Sequence, residues 1–251
     1  MSKSLSEMYN DTFYKNQIEG SLASATVVFN NLFNIYRPNS VLDIGCGRGT
    51  WLYAAEKLGV TKLHGIDGPW LKQADMLSNN IEFKPTNMEV EISVAEKYDL
   101  AISVEVAEHI SKTSARDFIS SLCAASDVVL FGAAVTCQGG ENHINEQRQS
   151  YWANLFSNQG YRCFDIIRNE IWDNESVEVW YRQNTLIYVN KDRNDLISVF
   201  EPLETNQMLD IIHPDMFENR VIFYRNILKK PTIRLILGLI KSYLVSKIKN
   251  Q

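Results

Sequence analysis

Two carboxylates and an imidazole fall together at Glu105-Val-Ala-Glu108-His109, and a second imidazole follows at His143. Positions three and four apart share one face of a helical turn, so Glu105, Glu108 and His109 can converge on one point. Two carboxylates held close without a cation repel until one takes up a proton. A divalent ion removes that cost, and oxygen and imidazole ligands with no thiolate suit Mn²⁺, Fe²⁺, Co²⁺ or Mg²⁺, with Zn²⁺ also within reach. A metal-free reading stands beside it, in which Glu108, His109 and His143 form a catalytic set with an imidazole as proton acceptor, or a purely structural pair. His64 and His213 read as structural.

A second group of candidates precedes this one. Val41-Leu-Asp-Ile-Gly-Cys-Gly-Arg-Gly-Thr50 reads as a short buried strand, a glycine turn and the start of a helix. Gly45, Gly47 and Gly49 let the backbone approach a ligand closely. The spacing Gly-x-Gly-x-Gly departs from the dinucleotide fingerprint Gly-x-Gly-x-x-Gly, and Asp43 ahead of the turn suits a cationic ligand better than a diphosphate. Asp67 closes the next strand roughly 20 residues after the turn, where this architecture hydrogen-bonds a ribose diol. Its structural alternative is a helix cap ahead of Pro69.

These residues need elements to hold them. Apolar runs at 41–44, 62–66, 80–84, 98–104 and 127–131 alternate with helical patterns at 51–58, 89–97 and 111–126. That alternation predicts a doubly wound α/β sheet with its ligands at the strand C-termini. A glycine-containing loop at 132–142, a helix at 145–158 and strands at 161–167 and 185–190 complete seven strands. Ahead of the first strand, Leu22, Ala25, Val28, Phe29, Leu32, Phe33 and Tyr36 make an amphipathic helix over 21–36. The segment 9–20, with Tyr14 and Gln17, precedes that helix. Residues 168–184, with Trp172, Trp180 and Tyr181, read as a hairpin-like excursion that walls an acceptor site or covers the sheet edge.

The character of the chain changes after residue 190, which divides it into a domain at 1–190 and a helical extension at 191–251. A basic apolar run at 229–249, started by Pro231, places Ile233, Leu237, Ile240, Leu244 and Ile248 on one helical face. It is too short and too charged to span a bilayer. Packing, a homodimer contact and an interfacial membrane contact remain open for it.

The segment from Val41 to Thr50, followed by Asp67 and the strand order, resembles the class I S-adenosylmethionine-dependent methyltransferases, and the resemblance covers most of the chain. It implies a Rossmann-like sheet, mostly parallel with an antiparallel last strand. It also implies S-adenosylmethionine as cofactor, with contacts from Asp43, Gly45, Cys46, Gly47, Asp67, Asn87, Met88 and Glu105. Asn87 stands where the family usually has an acid near the adenine. Glu-x-x-Glu-His with a later His is similar to the metal site of the small-RNA 3′-end 2′-O-methyltransferases, and related quinone O-methyltransferases have a similar stretch. That implies Glu105, Glu108, His109 and His143 as ligands. The loop Gln138-Gly-Gly-Glu-Asn-His143-Ile-Asn-Glu146, followed by Tyr151-Trp152, resembles bacterial methyltransferases of capsule and surface-polysaccharide pathways. That implies O-methylation of a sugar, a nucleotide-linked sugar or a phosphate-bearing precursor. Alternatives are RNA ribose 2′-O-methylation and a non-catalytic binding protein built on the same fold.

Composition narrows these choices. With 251 residues, 45% of them hydrophobic, the chain can bury one sizeable core. A formal net charge of -5 speaks against a general nucleic-acid binder, which needs a basic surface. Cys46, Cys123, Cys137 and Cys163 have no Cys-x-x-Cys spacing, so free thiols in a reducing compartment are expected. Residues 1–10 are polar and lack the apolar core of a secretory signal, so the expectation is a cytoplasmic protein with a possible membrane association.

Overall fold

The computed structural model describes residues 11–90, 92–203, 208–233, 236–238 and 240–241, with only the helix backbone over 11–17. Tyr14 and Gln17 therefore lie outside the described side chains. Helix α1 (Asp11–Ile35) leads into β1 (Ser40–Ile44), α2 (Thr50–Lys57), β2 (Lys62–Asp67), β3 (Ile81–Pro85) and β4 (Leu100–Val104). Then come α3 (Ala115–Ala125), β5 (Val128–Gly132), α4 (Gln149–Asn158), β6 (Tyr161–Phe164), α5 (Arg168–Ile171), α6 (Val179–Asn184), β7 (Leu186–Asn190), α7 (Asn194–Phe200) and α8 (Pro214–Lys229).

The seven strands form one sheet in the order β3-β2-β1-β4-β5-β7-β6. β1 to β5 pair in parallel, and β7 inserts antiparallel between β5 and β6. This is the expected Rossmann-like sheet, mostly parallel with an antiparallel last strand. β4 and β5 are buried at every position, because helices cover both faces of the sheet centre. Successive side chains alternate between two apolar layers. Val41, Leu100, Ile102 and Leu130 face Phe29, Leu32 and Leu52 of α1 and α2. Leu42, Ala101, Val129 and Phe131 face Phe118, Leu122 and Phe156 of α3 and α4.

Several expected elements differ. Residues 89–97 form no helix among the described residues. Val90, Ile92 and Val94 alternate and are β-branched, which disfavours a helix; Ile92 is buried with its N–H donated to Ser121 Oγ, and Val90 is exposed. The helix placed at 145–158 begins at Gln149, where the Asp210 carboxylate accepts from Ser150 N–H and so satisfies an otherwise orphaned donor. β6 stops at Phe164, short of the expected residue 167. The excursion at 168–184 is helical rather than hairpin-like, with α5 and α6 at its ends. The helical extension expected over 191–251 is present, and α7 and α8 are its helices ahead of residue 230. Leu196 and Phe200 of α7 are buried in the first apolar layer. The first compact unit continues past residue 190 to Ile211, and a second runs from Ile212. Of the helix expected from Pro231, residues 233, 236–238 and 240–241 are helical, and Leu244 and Ile248 fall outside the described residues. No helix among the described residues is long and apolar enough to cross a membrane.

Arg168 fastens the turn from β6 into the last helices. Its side chain is fully buried, pairs with Asp165 at 2.6 Å, and donates to the carbonyls of Gln183, Leu209 and Met208. Arg168→Leu leaves the Asp165 charge buried and those carbonyls without their donor. A loss of about 3–5 kcal/mol in denaturant unfolding is expected, and a loss below about 1 kcal/mol would show that the network is not structural.

Candidate active site

The C-terminal ends of the parallel strands carry every candidate residue. At the end of β1 the chain turns sharply. Gly45 has φ 90°, and a Cβ there would lie 2.3 Å from Val106 Cγ2, so only glycine fits the turn against the segment after β4. Gly45 and Cys46 donate to Ile66 O at the end of β2, and Gly49, at φ 77°, caps α2. Asp67 reaches back across the turn. Its Oδ2 accepts from Gly47 N–H at 2.7 Å and its Oδ1 from Gly68 N–H at 2.6 Å. The residue holds the glycine turn to the end of β2 and caps no helix.

Asp43 and Asp67 are both buried, and the electrostatics follow from that. Burial pushes the Asp43 carboxyl well above the usual carboxylate range, with the Asp67 charge adding to it. Burial also raises Asp67, while the two glycine N–H groups pull it back. The buried Cys46 thiol is pushed up by burial and then by both acids, so it acts as packing rather than as a nucleophile. Two desolvated acids beside a glycine turn make an environment that a cation relieves. Asn87 is exposed, and its Oδ1 accepts from Glu89 N–H, so the amide shapes its own loop; Met88 is half-buried against the second apolar layer.

The second group sits after β4. Glu105 adopts φ 56°, a left-handed conformation unusual for a residue with a side chain and a form of strain found at functional sites. Its Oε1 accepts from Asn184 Nδ2 at 2.8 Å and its Oε2 from Gln138 Nε2 at 2.6 Å. Burial pushes Glu105 up to about 7, against the pull of those amide hydrogen bonds. Glu108 lies in the single turn Ala107–His109 and is fully buried, and neither carboxylate oxygen meets a hydrogen-bond partner. Burial, then the neighbouring Glu105 charge, raises it well above the ordinary range.

The loop after β5 brings the second imidazole. Ile144 and Asn145 donate their N–H groups to Glu108 O, which lays the loop onto the Ala107–His109 turn. A Cβ on Gly140 would fall 2.2 Å from His143 Nε2, so the loop closes over the ring only with glycine there. Glu146 accepts from His143 Nδ1 at 3.0 Å and from the N–H groups of Cys137 and Gly139. The two imidazoles meet edge to face with centroids 4.9 Å apart. His109 Nδ1 lies 3.2 Å from Asn142 O, which can only accept, so Nδ1 carries the proton and Nε2 the lone pair. Burial, followed by His143, lowers His109 to about 4 and keeps it neutral. His143 Nε2 stands 3.9 Å from Glu108 Oε1.

Glu108, His109 and His143 each offer one ligand atom within 4.8 Å of the others. Glu105 stands outside this group, held by Gln138 and Asn184 instead. Sequence reasoning did not single out Asn184, Gln183 or the clamping role of Glu146. Glu146 does not cap α4, whose N-cap is Arg148. The available signal for the amides was two adjacent polar residues, Gln183 and Asn184, between an aromatic pair and a strand. His64 and His213 are structural: His64 Nδ1 pairs with the Tyr98 hydroxyl at 2.7 Å, and His213 Nδ1 accepts from Asp215 N–H at the start of α8.

Comparison with known proteins agrees with this architecture. Residues 20–131 match the family described as methyltransferase domain. An O-methyltransferase family protein from Burkholderia thailandensis is 15% identical, with a TM-score of 0.57 over 72% of this chain and 59% of its own. A chain of a Haloferax volcanii complex between a methyltransferase activator and a methyltransferase is 12% identical, with a TM-score of 0.56 over 75% of this chain and 98% of its own. Magnesium protoporphyrin IX methyltransferase from Synechocystis, with bound SAH, is 16% identical, with a TM-score of 0.51 over 76% of this chain and 90% of its own. These likenesses establish the fold, and residues 20–131 are similar to the methyltransferase domain family. No curated protein sequence matches the chain.

The raised acids set a pH dependence. A carboxyl raised in the folded chain keeps its proton where the unfolded chain has lost it. Ligand-free stability tied to Asp43 therefore falls as pH climbs from the ordinary carboxylate range through the raised one. A cationic ligand prefers the ionised form, so its affinity rises over the same window. Asp43→Asn is expected to flatten both trends in denaturant melts and calorimetry run across pH. An unchanged slope would place the titration elsewhere.

Proposed function

We propose that the chain is an S-adenosylmethionine-dependent O-methyltransferase of the cytoplasm, acting on a small polar acceptor such as a sugar, a nucleotide-linked sugar or a phosphate-bearing precursor in bacterial capsule or surface-glycan synthesis. The observation that carries the cofactor reading is the pair of desolvated acids, Asp43 and Asp67, on either side of the glycine turn. S-adenosylmethionine, when bound, supplies a methyl group on a cationic sulfonium. Asp43 would favour that charge, Asp67 a ribose diol, and Gly45 and Gly47 close approach of the backbone. The four cysteines are free, which suits a reducing compartment.

The acceptor side rests on Glu108, His109 and His143. In-line displacement at the sulfonium carbon requires an aligned acceptor oxygen that loses its proton cheaply. His109 is held neutral with Nε2 as its unprotonated nitrogen, the form that a proton acceptor needs, and His143 is oriented by Glu146 for the same task. The partnerless oxygens of Glu108 also fit a divalent cation, with His109 and His143 completing a three-residue set and Glu146 orienting His143 from behind. Such an ion, when bound, would act as a Lewis acid that stabilises the anionic acceptor oxygen. Gly139 and Gly140 give the covering loop its close turn, and Asn142 and Asn145 offer the polar contacts that a hydroxyl-rich acceptor needs. The glycan pathway rests on the resemblance carried by Gln138 to Glu146. The similarity of Glu108-His109 and His143 to a small-RNA methyltransferase site supports RNA ribose methylation as the second reading. Residues 1–211 weigh against it: they hold 17 Lys and Arg against 28 Asp and Glu, a net of -11.

Calorimetry with S-adenosylmethionine and S-adenosylhomocysteine tests the cofactor, and binding of neither would remove the reading. Turnover, followed by mass spectrometry over nucleotide sugars and glycan precursors, tests the acceptor. Glu108→Gln and His143→Ala are expected to cost roughly 10²–10⁴-fold in rate while cofactor still binds. Loss of activity in chelator, restored by Mn²⁺ or a similar ion, assigns the metal version; full activity in chelator leaves the imidazoles as bases. Salt-sensitive RNA binding with no turnover of any glycan precursor would instead favour RNA ribose methylation.

A further inference from the structure

The formal charge of the chain is sharply divided. Residues 212–251 hold eight of the 25 Lys and Arg and two of the 30 Asp and Glu, a net of +6 against -11 for residues 1–211. The same segment carries the exposed apolar side chains. Helix α8 has no buried residue. Phe217, Val221, Tyr224 and Leu228 recur at spacings of four, three and four, which is one helical stripe. Phe217 is 62%, Tyr224 50% and Leu228 69% exposed. Arg225 flanks the stripe, Lys229 lies further round the helix, and Lys230 comes just after it. Further along, Ile233, Leu237 and Ile240 are 77%, 60% and 51% exposed.

We propose that the segment 212–251 docks the protein on an anionic lipid bilayer, with the apolar stripe of α8 lying in the headgroup boundary and its Lys and Arg on the lipid phosphates. This proposal is independent of the reaction that the first unit performs. Three observations select lipid over a second copy of the chain. Two segments of +6 brought face to face repel, whereas an anionic surface attracts them. The core of a protein interface is depleted in Lys, yet here Lys229 and Lys230 follow directly on Leu228 at the end of the apolar stripe. Arg220 falls inside the apolar arc with its guanidinium 5.1 Å from the Phe223 ring and 5.4 Å from the Tyr224 ring, an arrangement that keeps the head at a boundary while the stem follows apolar surface. The helix is too short and too charged to span, so it lies on the surface.

Co-sedimentation of the full chain with vesicles tests the proposal. Vesicles of phosphatidylcholine mixed with phosphatidylglycerol are expected to pellet the protein, vesicles of phosphatidylcholine alone to leave it in the supernatant, and salt to release it. Lys229→Gln with Lys230→Gln is expected to weaken the partition roughly thirtyfold, from about 1 kcal/mol per cation at the surface. Phe217→Ser with Leu228→Ser should weaken it at least as much. Both double variants should keep the parent thermal transition, which separates loss of docking from loss of folding. The proposal is overturned if the parent ignores anionic vesicles or binds both kinds equally. It is also overturned if sedimentation velocity shows a dimer that the Phe217/Leu228 variant abolishes while no vesicle is bound.

Discussion

Four carboxylates, Asp43, Asp67, Glu105 and Glu108, are withdrawn from water along one edge of the sheet, and the rest of the site is arranged around that cost. The sheet explains the placement. β4 and β5 are covered on both faces, so an acid in mid-strand would have no partner, and only the strand ends admit polar groups. Parallel pairing of β1 to β5 then gathers the ends of β1, β2 and β4 at one edge. Each acid is handled differently. Asp67 has two backbone N–H donors, Glu105 has two side-chain amides, and Glu108 has no hydrogen-bond partner for either oxygen.

The amides that hold Glu105 depend on the antiparallel strand. Asn184 ends α6 one residue before β7, which pairs with β5, so its side chain is delivered beside the residue that follows β4. Gln138 comes from the loop after β5. The two are joined, Asn184 Nδ2 donating to Gln138 Oε1 at 2.9 Å, with Gln183 Nε2 bonded to Asn184 Oδ1 at 3.0 Å. Three buried amides thus share their donors and acceptors so that the two facing Glu105 both present N–H. A hydrogen-bond network of this kind resists single replacement, because each member satisfies another's polar group.

The glycine turn, the five parallel strands and the Glu105-to-His109 cluster were legible in the sequence because buried parallel strands read as unbroken apolar runs and because the turn needs glycine by geometry. The convergence of Glu108, His109 and His143 followed from residue spacing and from the placement of the loop after β5. The detachment of Glu105 from that group could not be read, since it depends on amides that come from residues 138 and 184. Residues 89–97 read as a helix, yet the β-branched alternation at Val90, Ile92 and Val94 carried the opposing signal. Helix α8 had a local mark in His213-Pro214, with proline at the first helical position and the imidazole capping Asp215 N–H.

Glu105 and Glu108 show why three residues of separation do not make two acids equivalent. Glu108 is fully buried and Glu105 partly so, and burial raises both carboxyls. Hydrogen bonds to Asn184 and Gln138 favour the ionised form of Glu105 and bring it back to about 7. Glu108 has no side-chain amide on it, and ionised Glu105 beside it raises the cost of a second charge. Within this arrangement Glu108 ionises when a positive charge comes to it, from a protonated imidazole or from a cation. His109 is held neutral at about 4 by its own burial, which makes it a poor source of that charge and a good acceptor or ligand. The site therefore combines an acid that lacks a counter-charge with an imidazole kept uncharged beside it, and both conditions are met together by a group that arrives bearing positive charge.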